Sequence, residues 1–231
     1  MINIYQVGGS VRDEFLGVKS KDIDYAVEAP SYDAMRNWIL FVARGEIFIE
    51  KPEFLTIRAK IGNIASDFVM CRKDGTYSDG RRPDNVIPGT IYDDLQRRDF
   101  TMNAIAKNEK GEYLDYFSGI RDIQRKIICC VGNPADRFSE DYLRMARAIR
   151  FSVTKDMFID WDIEQYLYDL DYIRAFAENI SIERVKEELE KMFRHDTIVA
   201  LQVLNNYPKF RDTMFQMCAG KLWLKPVLEN K

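Results

Sequence analysis

The chain has 231 residues, of which 46% are apolar and 31% charged, with a formal net charge of −3. That composition excludes fibrous and disordered chains and suffices for one large domain or two modest ones. No run approaches the roughly 18 uninterrupted apolar residues of a membrane span, and the amino terminus MINIYQVGG lacks a signal-peptide pattern, so a cytoplasmic protein without membrane contact is expected.

Residues 2–7 (INIYQV) read as a strand, Gly8 and Gly9 break it, and residues 10–16 read as a short helix stopped by Gly17. The segment KDIDYAV alternates. As an extended chain it puts Asp22, Asp24 and Ala26 on one side and Ile23, Tyr25 and Val27 on the other, two acids a pleat apart above an apolar face. A helix over 32–42 and strands over 46–50, 55–61 and 65–71 follow, separated by Gly, Pro and Asn turns. The turn-rich, charged stretch 72–88 predicts a mobile surface loop. Beyond about residue 134 strand signals vanish, and helical periodicity covers 134–153, 161–175, 181–194 and 196–206. The expected architecture is α+β: a mixed α/β head over residues 1–130 and an all-helical part over 131–231.

Charge is unevenly spread. Residues 1–96 carry 12 basic and 15 acidic side chains, residues 97–155 carry 12 and 8, and residues 156–231 carry 10 and 14. The arginine-rich middle is where a triphosphate or an RNA end would be drawn. Cys71, Cys129, Cys130 and Cys218 form no CxxC pair, so reduced, mostly buried thiols are expected rather than a disulfide framework or a zinc cage. His195 is the single histidine, which removes serine and cysteine triads and multi-histidine metal sites. Catalysis must then run on carboxylates, arginines and a hard cation.

Two carboxylates on alternate residues of one strand repel each other unless a cation lies between them, and a pair of Mg²⁺ ions shared with triphosphate oxygens relieves this in phosphoryl transfer. Asp67, in IASDFVM, is the best third acid. The strand, the Gly8–Gly9 turn and the following helix start form an anion cradle, to which Arg12 adds a charge-assisted contact.

These residues resemble a known family. VGGSVRDEFLG followed by KDID is similar to motif A of the class II tRNA nucleotidyltransferases (CCA-adding enzymes) and their bacterial poly(A) polymerase relatives, within the DNA polymerase β nucleotidyltransferase superfamily. DLQRRDFTMNAIA (94–106), LDYFSGIRDIQRKII (114–128), RFSEDYLRMARAIRF (137–151) and SIERVKEELEKM (181–192) resemble motifs B to E in order. The resemblance implies a polymerase β-type head, a mixed sheet with flanking helices, followed by a helical neck. It implies that Asp22 and Asp24 hold Mg²⁺ with Asp67 as third acid, that Gly8, Gly9 and Arg12 contact the triphosphate, and that Arg98 and Asp99 lie near the ribose.

In motif D the resemblance implies a nucleotide selector made of Asp141 and Arg144, with Arg147 and Arg150 as further nucleotide contacts. Three residues apart on a helix, Asp141 and Arg144 would share a face, whereas Arg150 would lie nearly opposite Asp141. Cytosine and adenine each present an amine donor beside a ring-nitrogen acceptor. A carboxylate accepts from the first and a guanidinium donates to the second, worth roughly 1–3 kcal/mol of discrimination against guanine and uracil. In motif E, Ser181 is expected to cap a helix whose Glu183 and Arg184 brace the motif D helix; Asp115, Gly119 and Asp122 of motif C are expected to shape the junction between head and neck.

The implied activity is template-independent addition or repair of the 3′-terminal CCA of tRNA from CTP and ATP. Poly(A) polymerase or A-only addition is the alternative, and a non-catalytic nucleotide- or RNA-binding protein the least favoured reading. The chain stops 39 residues after motif E, so the resemblance implies a compact form lacking body and tail domains, in which homodimerisation or a partner compensates for a weakened tRNA grip.

Overall fold

A computed structural model of the chain describes residues 2–20, 23–75, 86–220, 222 and 227. Asp22 and most of the expected loop at 72–88 lie outside the described residues. The chain divides into two compact units, the first built from residues up to 75 and from 86 to 124, the second from residue 125 onward.

The first unit begins with β1 (Asn3–Val7), α1 (Gly9–Phe15), β2 (Ile23–Glu28) and α2 (Tyr32–Asn37), which runs into a π-helical turn over Trp38–Val42. Ser31 caps α2 by accepting from the Ala34 amide. Next come β3 (Glu46–Lys51), β4 (Thr56–Ile61) and β5 (Ile64–Met70). The expected loop does not start at residue 72: β6 (Arg72–Asp74) and β7 (Val86–Pro88) pair antiparallel as a ribbon. Charge and turn formers outweighed three-residue strand signals in the sequence, whereas pairing with each other satisfies these backbones. Then follow α3 (Ile91–Gln96), with a Thr90–Asp93 capping box, a 3₁₀ turn at Thr101–Asn103, β8 (Ala106–Asn108), β9 (Tyr113–Leu114) and α4 (Gly119–Gln124).

Seven strands form one mixed sheet in the order β3-β4-β5-β2-β1-β8-β9, with β2 and β5 parallel and the other neighbours antiparallel. One face carries Val27, Ile57, Ala59, Phe68 and Met70, buried with Met35 and Ile39 from the helical segment after β2. Tyr25 stacks on Phe68 at 5.1 Å between centroids. Period-2 alternation therefore sends Asp24, Asp67 and Arg58 to the opposite face.

The second unit contains β10 (Ile127–Ile128), α5 (Pro134–Glu140), α6 (Leu143–Lys155), β11 (Phe158–Ile159), α7 (Trp161–Tyr168), α8 (Leu170–Asn179), α9 (Ile182–His195), α10 (Thr197–Asn205) and α11 (Pro208–Met217). Besides helices it holds a two-residue parallel pairing of β10 with β11. Two expected helices are each broken in two. Asp141 is extended (φ −156°, ψ 100°) between α5 and α6, and Asp169 caps α8 by accepting from the Asp171 and Tyr172 amides. In both places an aspartate prefers serving as a cap to continuing a helix. Ser181 sits at the N-cap of α9 but makes no side-chain cap bond, contrary to expectation.

α6 packs on α9 and α10, Met145 and Ile149 of α6 and Leu189 and Met192 of α9 are buried, and Phe176 meets Phe210 edge-on at 4.7 Å. Burial of each large side chain here is worth about 1.5–3 kcal/mol. All four cysteines are free thiols, three of them buried, and burial pushes the Cys71 thiol well above its ordinary value. Among the described residues no helix is long and apolar enough to cross a membrane.

Candidate active site

In the first unit Asp24 and Asp67 are register partners on adjacent parallel strands, and Arg58 is the partner of Asp67 on β4. Their side chains share the polar face and line, with Ile23, Ala65 and Ser66, a cavity of about 240 Å³. Arg58 Nε lies 3.4 Å from Asp67 Oδ1. Both side chains are about two-fifths exposed, so water weakens the pair and leaves the carboxylate able to exchange partners. Carboxylate oxygens at adjacent register positions are the hard donors that Mg²⁺ takes. Asp24 and Asp67 fit such an ion, although the described residues contain no group of three or more potential ligands.

The start of α1 approaches the same acids. Gly8 has φ +72°, a conformation that side-chain-bearing residues rarely adopt. A Cβ there would lie 3.0 Å from Arg98 Nη1 and 4.0 Å from Asp24 Oδ2. The glycine turn, one guanidinium and one proposed metal-binding carboxylate thus converge.

Arg98 is held from behind by a residue for which the sequence suggested no role. Asp94, on α3 and fully buried, accepts from Arg98 Nη2 at 2.9 Å and Nε at 3.2 Å, and also pairs with Arg97. Burial alone would raise the Asp94 carboxyl; the guanidiniums of Arg97 and Arg98 overcome it and hold the group below the usual carboxylate range. The spacing Asp94, Arg97, Arg98 (i, i+3, i+4) was the available signal.

Arg12 is buried and turned inward: Nε donates to Asp13 Oδ1 at 2.9 Å and Nη1 to Asn103 Oδ1 at 2.7 Å. A Cβ on Gly9 would meet Arg12 Nη2 at 3.3 Å, so the side chain lies directly under that glycine. Asp99 Oδ1 accepts from the Phe100 amide and from Asn103 Nδ2, at 2.8 and 2.9 Å. Gly8, Gly9, Arg12, Asp24, Arg98 and Asp99 therefore belong to one connected region of the first unit, with Asp67 beside Asp24. The motif C residues brace this region. Asp115 accepts from the amides of Gly119 and Ile120, and Asp122 accepts from Thr101 Oγ1 at 2.8 Å.

In the second unit the geometry differs from a shared helical face. Asp141 precedes α6, where its Oδ1 accepts from the Leu143 amide at 3.1 Å, and Arg184 of α9 grips both its oxygens at 3.1 and 2.6 Å. Arg144, also buried, donates to Glu140 Oε2 at 2.7 Å and to the Arg137 carbonyl at 3.0 Å. Extended backbone at Asp141 removes it from the α6 spiral, and its carboxylate and the Arg144 guanidinium take different partners. Arg150 pairs with buried Glu188 and covers the Phe151 ring at 3.8 Å; Arg147 lies 5.4 Å from that ring. Arg184, expected with Glu183 to brace the motif D helix, holds Asp141 just ahead of it.

Residues 4–129 match the model of the poly A polymerase head domain, and the chain belongs to that family. It is 38% identical over 189 residues to a CCA-adding enzyme of Anoxybacillus flavithermus, covering 81% of this chain and 45% of the relative. It is 39% identical over 197 residues to that of Limosilactobacillus reuteri, covering 85% and 47%. Among solved structures it resembles the Bacillus stearothermophilus CCA-adding enzyme in complex with CTP (TM-score 0.76, 32% identity, 89% of this chain and 48% of that one). It also resembles the Thermotoga maritima CCA-adding enzyme complexed with tRNA-CCA (TM-score 0.74, 26% identity, 97% and 50%). The chain spans just under half the length of the curated relatives it matches.

Proposed function

We propose that the chain is a template-independent RNA nucleotidyltransferase that adds or repairs the 3′-terminal CCA of tRNA from CTP and ATP. The observation that carries this reading is the convergence of the Gly8 turn, Arg98 and Asp24, with Asp67 in register beside Asp24. Relatives named as CCA-adding enzymes, one of them solved with CTP, support the choice of substrates. Such substrates make the cytoplasm the expected site of the reaction.

The RNA 3′-hydroxyl attacks the α-phosphate, its proton leaves to solvent, and pyrophosphate departs. Asp24, Asp67 and Asp22 would hold Mg²⁺, which when bound lowers the hydroxyl pKa and offsets charge on the phosphates. The chain's own groups position the nucleotide: backbone at Gly8 and Gly9 approaches the triphosphate, Arg12 adds positive charge beneath that turn, and Arg98 with Asp99 reads the ribose hydroxyls by donating and accepting.

Base choice belongs to Asp141 and Arg144 in the helical neck, which extends over about residues 131–231, with Arg147 and Arg150 as lesser contacts. A carboxylate offers about four lone-pair sites, so Asp141 accepts both the Arg184 fork and a base amine. Arg184 thereby fixes the direction in which Asp141 presents itself. Incubation with Mg²⁺, labelled CTP or ATP, and tRNAs lacking three, two or one of the terminal nucleotides tests the assignment. Ordered C, C, A addition that then stops is expected; an adenosine tail of indefinite length or no incorporation refutes it.

A further inference from the structure

Asn103 touches three members of the proposed nucleotide site. Its Oδ1 accepts from Arg12 Nη1 at 2.7 Å, its Nδ2 donates to Asp99 Oδ1 at 2.9 Å, and its backbone carbonyl accepts from Arg98 Nη1 at 3.2 Å. A guanidinium only donates and an ionised carboxylate only accepts, so the carboxamide has a single satisfying orientation between them. Residues with one kind of hydrogen-bonding group cannot serve both neighbours.

The backbone under Asn103 is immobilised. Phe100 and Met102, on either side of Thr101, are fully buried, the Asn103 amide donates to the Phe100 carbonyl at 2.9 Å, and Thr101 is tied to Asp122. Asn103 is itself 6% exposed. A buried amide on a rigid turn transmits the position of one neighbour to the other. Because Asp99 Oδ1 takes two donors, the plane of the carboxylate, and so the direction of Oδ2, is set by that turn.

We propose that Asn103 is a positioning residue for the incoming nucleotide, coupling Arg12, the charge beneath the Gly8–Gly9 turn that faces the triphosphate, to Asp99 as ribose contact. This assignment rests on the nucleotidyltransferase reading above. Asn103 touches no reacting atom. It sets how far the phosphate-binding and ribose-binding groups stand apart, and therefore how strongly the site prefers a ribonucleotide to a 2′-deoxynucleotide.

The test measures kcat and KM for CTP and 2′-deoxy-CTP on tRNA lacking its CCA end, for the wild type, Asn103→Ala, Asn103→Asp, Asp99→Ala and the Asn103→Ala/Asp99→Ala double variant, with folding checked by circular dichroism. Asn103→Ala should lower kcat/KM for CTP roughly tenfold, chiefly through KM, and affect 2′-deoxy-CTP less, so that the ratio between them falls towards one. Asn103→Asp keeps the volume and the acceptor for Arg12 but sets a like charge against Asp99. It should lose at least as much, and it carries the test should the alanine variant fail to fold. In the Asp99→Ala background Asn103→Ala should cost little more.

A variant that keeps the wild-type ribose preference, or single losses that add in the double variant, overturns the positioning role. A folded wild type that incorporates neither CTP nor ATP overturns the nucleotidyltransferase reading and the positioning role together. Failure confined to the variants leaves that reading standing.

Discussion

Arg98 in the first unit and Arg184 in the second are held in different ways. In the first, Arg97 and Arg98 share Asp94, an acid three and four residues upstream that is sealed in the core. In the second, Arg184 and Arg150 reach carboxylates 43 and 38 residues away, across the contact of α9 with the α5–α6 segment. A local pair fixes side-chain direction from its own stretch of chain, whereas a distant pair is only as firm as the packing that brings its helices together. The proposed chemistry follows this contrast only in part. Arg98 is held by a short-range ion pair and Asp141 by a partner on another helix, whereas Arg12 reaches Asn103, 91 residues away, and Arg144 pairs with Glu140, four residues upstream.

Removing the strand-borne acid should give the largest change. Asp24→Ala is expected to lower nucleotide incorporation by about a thousandfold or more while the melting temperature stays unchanged, since the side chain lies on an open face. Activity retained in a primer-extension assay would detach the chemistry from the sheet. Next, Asp94→Ala leaves two guanidiniums beside a vacated buried site and should cost about 3–5 kcal/mol in denaturant unfolding. Arg184→Ala, acting across helices at a partly buried pair, should cost about 1–3 kcal/mol. Equal losses would erase the contrast between the units.

The Asp94 carboxyl is held below its ordinary range in the folded state. Its contribution is therefore complete above the ordinary carboxylate range, begins to fall there, and is gone only once the pH has passed below the lowered folded value. Between roughly pH 5 and pH 2 the wild type should lose more stability than Asp94→Asn, measured by chemical unfolding at each pH.

Asp141→Ala should relax the preference for C and A over G and U by about ten- to a hundredfold, read from misincorporation with each of the four triphosphates. Arg184→Ala should shift the same ratio in the same direction, since it aims that carboxylate. Smallest of all is Ser181→Ala. With no side-chain cap bond to lose, it should change the midpoint of thermal unfolding by an amount equivalent to less than about 0.5 kcal/mol.

The sequence was most legible where chemistry and periodicity coincide. Alternation in KDIDYAV put Asp24 on the polar side of its strand, Asp67 was legible as the best third acid though only the register of the sheet sets it beside Asp24, and Gly8 was recognisable as a break in the strand. Asp94 and Asn103 passed unassigned because each works by holding another side chain. Helical spacing would have exposed the first, but only the folded turn brings the second between Arg12 and Asp99. The α5–α6 break was hidden because Asp141 satisfies helical periodicity, and its preference for capping emerges only when Arg184 and the Leu143 amide are present to reward it.

Gly119 packs so tightly on the Thr101–Asn103 turn that a Cβ there would come within 2.1 Å of the Thr101 carbonyl oxygen. A single added methyl would have to lift that turn, and Asn103 would move with it. Position 119 is thus a lever on that turn: on the proposed role of Asn103, a side chain added there is expected to alter sugar preference, and a screen for mis-selected sugars checks this without any change at Asn103 itself.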